Sequence, residues 1–196
     1  MLAIFKREFK SYFQNVIGWL FVAALLAVYG LYFYVYNLKN GYPYISYNLK
    51  GIGFIMMIAV PILTMRSLSD EKKTKTDQLM LTSPVSVGKI VAGKYFAMAA
   101  VYTIDIAIFA LSPLVLSIYG KVALSEAYVA LFGYWLYGLS CIAVGLFISS
   151  ISESVIISAI LTFAALFLSY MMQSITGLIS SSGNMLTKVL NCFDLY

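Results

Sequence analysis

The chain arranges its hydrophobic residues in long blocks, and short polar segments separate these blocks. A helix that crosses the apolar part of a bilayer needs about 20 consecutive, mostly apolar residues. Five blocks approach or meet this requirement, at residues 16–36, 49–68, 95–118, 127–151 and 155–178. The pattern therefore predicts an all-α integral membrane protein with five transmembrane helices, built as a single domain over residues 1–196.

The second block is the least regular of the five. Its uncharged stretch covers only residues 52–65 and contains Pro61, so a re-entrant segment is an alternative to a span. The choice decides on which side of the membrane the lysine-rich segment after it lies. Because lysine and arginine are enriched in cytoplasmic loops, we predict that the second block spans the membrane.

The distribution of positive charge predicts the orientation of the chain. The formal net charge is +5, and the basic residues lie between the apolar blocks. With the amino terminus in the cytoplasm, nine basic residues are cytoplasmic and four are external, which agrees with the positive-inside rule. The first group is Lys6, Arg7, Lys10, Arg66, Lys72, Lys73, Lys75, Lys89 and Lys94, and the second is Lys39, Lys50, Lys121 and Lys188. We interpret this charge as an orientation signal and expect no nucleic-acid partner.

The first fourteen residues combine an apolar face with a basic face. The apolar face carries Leu2, Phe5, Phe9 and Phe13, and the basic face carries Lys6, Arg7 and Lys10. This pattern is typical of a helix that lies in the membrane surface and contacts lipid headgroups. A plain cytoplasmic flank of the first span is the alternative.

Composition argues against a soluble enzyme. Hydrophobic residues make up 62% of the chain, and histidine, the commonest general base and a frequent metal ligand, is absent. The segment Gly88–Lys94 resembles a phosphate-binding loop, but Tyr95 stands where that motif needs Ser or Thr. We therefore predict no catalytic residues, no cofactor and no metal, and we expect the lysines of this segment to anchor the third span at the headgroups.

Tyrosines and small residues complete the pattern of the spans. Tyrosines cluster from Tyr29 to Tyr47, which predicts an aromatic belt at the membrane boundary, with a substrate vestibule as the alternative. Small residues recur every fourth position in two places, which predicts close contacts between helices. These residues are Ala99, Thr103 and Ala107 in one span and Gly145 and Ser149 in another.

Asp105 lies near the middle of the third predicted span. A carboxylate at that depth costs about 2.5–3.5 kcal/mol, and such residues usually face the interior of a helix bundle. Two interpretations stay open. Asp105 contacts a proton, a cation or a substrate, or it is a protonated or hydrogen-bonded carboxyl that holds helices together, through Thr103 or a tyrosine.

The segment 66–94 is the most polar part of the chain. Ser69 or Asp70 can cap a short helix, Asp70 and Glu71 lie near its positive end, and Pro84 ends it. An amphipathic cytoplasmic helix between two spans indicates a contact with another protein. A solvated, charged loop is the alternative.

Within this segment, a motif is formed by Arg66, Ser67, Glu71, Lys72, Thr76, Gln78, Leu79, Ser83, Pro84, Gly93 and Lys94. With these residues the segment resembles the permease subunits of type-2 ABC exporters, especially the branch of the gliding-motility and nitrous-oxide-reductase-maturation permeases. The stretch 5–13 resembles the interfacial elbow helix of this family, and residues 145–154 resemble its turn between spans four and five. Lys75 departs from the family's usual glycine.

The resemblance implies a function in ATP-driven transport across the bacterial cytoplasmic membrane, in contact with membrane lipid. Two permease subunits would form the translocation path, and each would couple to a separate ATPase subunit through a cytoplasmic helix within residues 66–84. The coupling residues implied are Arg66, Asp70, Glu71, Lys72, Lys73, Asp77 and Leu79. ATP hydrolysis is expected in the partner and not in this chain.

Two alternative functions stay open. A secondary transporter or channel would use Asp105 and need no ATPase, and a membrane immunity or assembly factor would not transport at all. The family pattern has six spans, whereas five are predicted here, and the ending Phe193–Tyr196 resembles the external segment that leads into the sixth span of the family. Three interpretations stay open: a truncated chain, an incompletely represented chain, or a natural short form.

Overall fold

The protein, seen in a computed structural model, forms a helical bundle, and the structure describes residues 2–73, 86–119 and 122–179. The described residues are helical apart from short turns and contain no β-strand. Five of the helical stretches are long and apolar enough to cross a membrane: Val16–Lys39, Ser46–Lys73, Val87–Ile118, Leu124–Ile151 and Val155–Met172. The predicted all-α membrane fold with five spans is confirmed.

The first two helices, α1 (Leu2–Gln14) and α2 (Val16–Tyr32), meet at a corner made by the single residue Asn15. The chain of α2 continues as a π-helix over Phe33–Lys39. At the corner, the Tyr12 carbonyl occupies the space that a side chain at residue 18 would need, and Gly18 leaves that space free. α1 thereby folds back onto the bundle, where Phe9 and Phe13 pack against buried residues.

Helix α3 (Ser46–Thr64) is the most enclosed span. Its apolar window is 56% buried, whereas no other span exceeds 39%. The helix continues through Pro61, so the second block forms a regular helix that is long enough to span. Four residues of turn separate α3 from the short polar helix α4 (Ser69–Lys73).

The third span begins earlier than the sequence predicted. Helix α5 covers Val87–Phe109, and α6 (Ser112–Tyr119) follows after a break at Ala110 and Leu111. The predicted start at residue 95 was wrong, because apolar content alone does not show the polar first turns of a helix that extends beyond the bilayer. The break precedes Pro113, which lacks an N–H and is well suited to the first turn of a new helix.

The last two helices are α7 (Leu124–Ile151) and α8 (Val155–Ile179). α3 contacts α2, α7 and α8, and α5 contacts α1, α2 and α7. A side chain at residue 145 would come within 2.5 Å of the Thr64 hydroxyl, so Gly145 allows α7 to approach α3 closely, as predicted. The other row of small residues does not pack fully within the chain, because Thr103 and Ala107 are exposed.

Candidate functional site

A polar cleft of about 490 Å³ lies at the end of the bundle where α1, α4 and the start of α5 meet. Its lining comes from α1, from the turn after α3, and from α4 and α5. The lining residues include Arg7, Glu8, Ser11, Tyr12, Asn15, Arg66, Ser67, Asp70, Glu71 and Lys94. The cleft therefore brings charged residues from the amino-terminal helix together with charged residues from the segment 66–94.

Lys94 forms the centre of this cluster. Its side chain is only 2% exposed, and its ammonium donates hydrogen bonds to Glu71 Oε1 at 2.7 Å and to the Ser67 carbonyl at 2.9 Å. Glu8 Oε1 lies 3.5 Å from the same nitrogen. One lysine on α5 thus binds residues of α1, of the turn after α3 and of α4. The prediction that Lys94 anchors the span at lipid headgroups was wrong, because this side chain is enclosed by protein.

Glu8 connects the cluster to the surface. Its carboxylate also pairs with Arg7 at 2.7 Å, and Arg7 is exposed. The neighbouring Tyr12 phenol has a pKa raised by burial and further by the Glu8 carboxylate, so it stays protonated as a neutral hydrogen-bonding group. Two cations and two carboxylates therefore balance one another, which is the condition under which charges can be held inside a protein.

Helix α4 is also attached to the end of α7. The Ser149 hydroxyl accepts hydrogen bonds from the backbone N–H groups of Leu68 and Ser69, both at 3.2 Å, and the Ser69 hydroxyl donates to the Ser149 carbonyl at 3.1 Å. Lys72 donates to the Ser150 carbonyl. These bonds occupy the N–H groups at the start of α4, which have no partner within a helix.

The predicted coupling residues divide into two groups. Glu71 and Lys72 attach α4 to α5 and α7 through side-chain hydrogen bonds. Arg66, Asp70 and Lys73 form a second group whose side chains are exposed. Asp77 and Leu79 lie outside the described residues. Sequence reasoning missed Glu8 as a member of the site, and the available signal was its position beside Arg7 on the polar side of α1.

Asp105 lies at the opposite end of α5 from this cleft and is completely buried. Neither carboxylate oxygen has a hydrogen-bond partner among the described residues. Thr103, one of the expected partners, instead donates to the Ala99 carbonyl and accepts from the Trp135 indole. Tyr102, the adjacent tyrosine, donates to the Tyr134 carbonyl. The structure thus gives Asp105 neither of the partners that the sequence suggested.

The apolar spans, the amphipathic first helix and the short polar helix between two spans define the class of this chain, a multi-pass α-helical membrane protein. The family described as ABC-2 family transporter protein matches residues 32–196. Because this match covers most of the 196 residues, the chain belongs to that family and has the role of an ABC transporter permease. Helix α1 lies outside the matched region. No curated protein and no solved structure matches the chain.

Proposed function

We propose that this chain is the permease subunit of a bacterial ABC exporter and that α4 transmits motion from a separate ATPase subunit to the spans. The observation that carries the proposal is the double attachment of α4. Glu71 joins it to α5 through Lys94, and Ser69 joins it to α7 through Ser149. A partner that moves α4 would therefore move both spans.

The proposed docking surface is the exposed part of the segment 66–84. Arg66, Asp70 and Lys73 present charge to the solvent, and we include Asp77 and Leu79 from the sequence. Glu71 and Lys72 hold α4 in place in this proposal. The motif residues of this segment support membership of the gliding-motility and nitrous-oxide-reductase-maturation branch.

The proposed assembly pairs two permease subunits around a translocation path. The fifth span supports this proposal, because its apolar window is only 17% buried, the lowest value of the five spans. A large apolar face on α8 is therefore available to lipid or to a second subunit. In the proposed orientation, α1 and α4 lie on the cytoplasmic side of the bacterial membrane.

Docking is tested by co-expression with an ABC ATPase subunit from the same genome. We expect simultaneous replacement of Arg66, Asp70 and Lys73 by alanine to abolish co-purification while the permease still reaches the membrane. The control is Lys39→Ala, an exposed lysine at the other end of the bundle. Unchanged co-purification of the triple variant would refute the docking surface.

Transmission is tested separately from docking. Ser149→Ala removes the hydroxyl that accepts from the N–H groups of Leu68 and Ser69, at the start of α4. We expect this variant to co-purify with the ATPase but to lose most of the stimulation of ATP hydrolysis by the permease. The matched control on the same helix is Ser140→Ala, because the Ser140 hydroxyl bonds only within its own helix to the Leu136 carbonyl. Full stimulation by Ser149→Ala would contradict the attachment to α7.

A further inference from the structure

A second cleft opens between α3 and α7, at the end of the bundle opposite α1. It is lined by Leu49 and Lys50 of α3 and by Ala130, Gly133, Tyr134 and Tyr137 of α7. Its volume is about 260 Å³. None of these residues belongs to the coupling site, so this cleft requires an explanation of its own.

The floor of the cleft is apolar and has open space. Leu49 and Tyr134 are buried at 5% and 6% exposure, and no heavy atom lies within 4 Å of the position that a side chain at Gly133 would take. Sites that enclose a drug-sized ligand have volumes of roughly 300–1,000 Å³. Because this cleft is smaller, it takes one apolar end of a ligand and leaves the other end outside.

A cation stands at the mouth of the cleft. Lys50 is exposed and forms no ion pair or hydrogen bond with any residue in the described ranges. The exposed Tyr44 and Tyr47 lie just before it, and tyrosines concentrate at the membrane–water boundary. Lys50 therefore lies at headgroup depth, while Tyr137 marks the deeper end of the groove along α7.

An anion lies close to the same mouth. Glu126 is exposed on α7, one turn before Ala130, and lines a small adjoining recess together with Ser46. No ion pair joins Lys50 to Glu126 in the part of the chain that is described. Among the residues that the structure describes, the mouth thus offers Lys50 and Glu126, one charge of each sign, and a ligand headgroup that carries both signs complements this pair.

We propose that this cleft binds one acyl chain of a zwitterionic phospholipid, with the lipid phosphate at Lys50 and the headgroup ammonium toward Glu126. Lysine is a common phosphate ligand. The apolar groove runs from headgroup depth toward the middle of the bundle, as an acyl chain does. The site is independent of the proposed coupling to an ATPase.

The proposal is tested by native mass spectrometry of the full chain, released from vesicles of phosphatidylethanolamine and phosphatidylglycerol in equal amounts. We expect the wild type to retain one phosphatidylethanolamine. Lys50→Gln should lower retention at least tenfold, which corresponds to about 1.4 kcal/mol of binding free energy, because the charged hydrogen-bond donor to the lipid phosphate is removed. Glu126→Gln should keep a bound lipid and lose the preference for phosphatidylethanolamine.

A steric variant tests the groove itself. Gly133→Leu fills open space and should abolish retention, with thermal unfolding unchanged. The matched controls are Gly30→Leu, at a position that is equally open on α2, and Lys39→Gln, an exposed lysine at the same end of the bundle. Equal lipid retention by Lys50→Gln, Gly133→Leu and both controls would overturn the proposal.

Two further outcomes would assign the cleft to a different occupant. Displacement of the lipid signal by inorganic phosphate at millimolar concentration would identify a soluble phosphate compound as the ligand. A disulfide from Gly133→Cys, either to Cys192 or to a second copy, would show that protein covers the cleft. Either result overturns the lipid assignment. The assignment is supported if the thiol introduced by Gly133→Cys reacts freely in lipid-stripped protein and is protected by phosphatidylethanolamine.

Discussion

Among single residues, Lys94 joins three parts of the chain at the polar cleft. An ammonium has three donors, and here they face the Glu71 carboxylate, the Ser67 carbonyl and the Glu8 carboxylate. Each partner comes from a different part of the chain. The side chain therefore fixes the relative positions of α1, α4 and α5 at one point.

Lys94→Met should destabilise the protein strongly, because it leaves Glu8 and Glu71 near one another without the cation between them. Breaking a buried ion pair by removing one partner costs about 3–5 kcal/mol. The measurement is thermal unfolding of the purified protein in detergent. We expect a clearly lower midpoint for this variant.

The control for this substitution is Lys89→Met, an exposed lysine on the same helix, which should unfold like the wild type. A second test adds Glu8→Gln to Lys94→Met. Removing one of the two carboxylates should restore part of the lost stability, because residues in one ion-pair network do not act additively. Wild-type stability of Lys94→Met would refute the central position of this lysine.

The residue types of the site could be predicted from the sequence, but not their pairing. Glu71 and Lys94 were both singled out by a family pattern, yet 23 positions separate them and nothing local indicates a contact. For Asp105, the burial could be predicted from the sequence, but the hydrogen-bond partners could not. Its burial followed from its depth in the span, whereas its lack of a partner among the described residues depends on how Thr103 and Tyr102 orient, which only the packed bundle determines.

At the scale of helices, the hydrophobic blocks predicted the number and order of the spans because each span must bury its backbone polar groups in its own hydrogen bonds. The ends of the helices were less predictable. α5 starts at Val87 because a helix can extend into water beyond the apolar block. The attachment of α4 to Ser149 could not be predicted from the sequence either, since it joins residues 80 positions apart.

Gly145→Val tests the contact between α7 and α3. The added side chain would meet Thr64, which is fully buried and cannot move aside easily. Overpacking of this kind costs about 1–3 kcal/mol. We expect a lower unfolding midpoint than for Gly30→Val, where no atom lies near the added group. Equal midpoints for the two variants would argue against the close approach of the helices.

At the scale of the molecule, the bundle has two chemically different ends. One end carries α1, α4 and the charged cleft, and the other carries the exposed tyrosines before and within the start of α3. The distribution of lysine and arginine predicts that the first end is cytoplasmic. The sequence suffices for this prediction because orientation depends on the count of charges and not on their contacts.

Cysteine accessibility in intact cells tests the orientation. In a background with Cys141 and Cys192 replaced by serine, a cysteine introduced at Gly41 should react with a membrane-impermeant maleimide added outside. A cysteine at Lys73 should react only after the membrane is opened. The reverse pattern would invert the topology, and reaction of both from outside would show that the second block does not cross.

The double attachment of α4 has a mechanical consequence. Because α4 is bonded to two different helices, a force applied to α4 acts on both of them. A displacement applied at Lys73 is therefore shared by α5 and α7, and the ratio of the shares depends on the stiffness of the Lys94 and Ser149 linkages. Weakening one of the two linkages should transfer most of the force to the other helix. The two spans would then slide past each other instead of moving together.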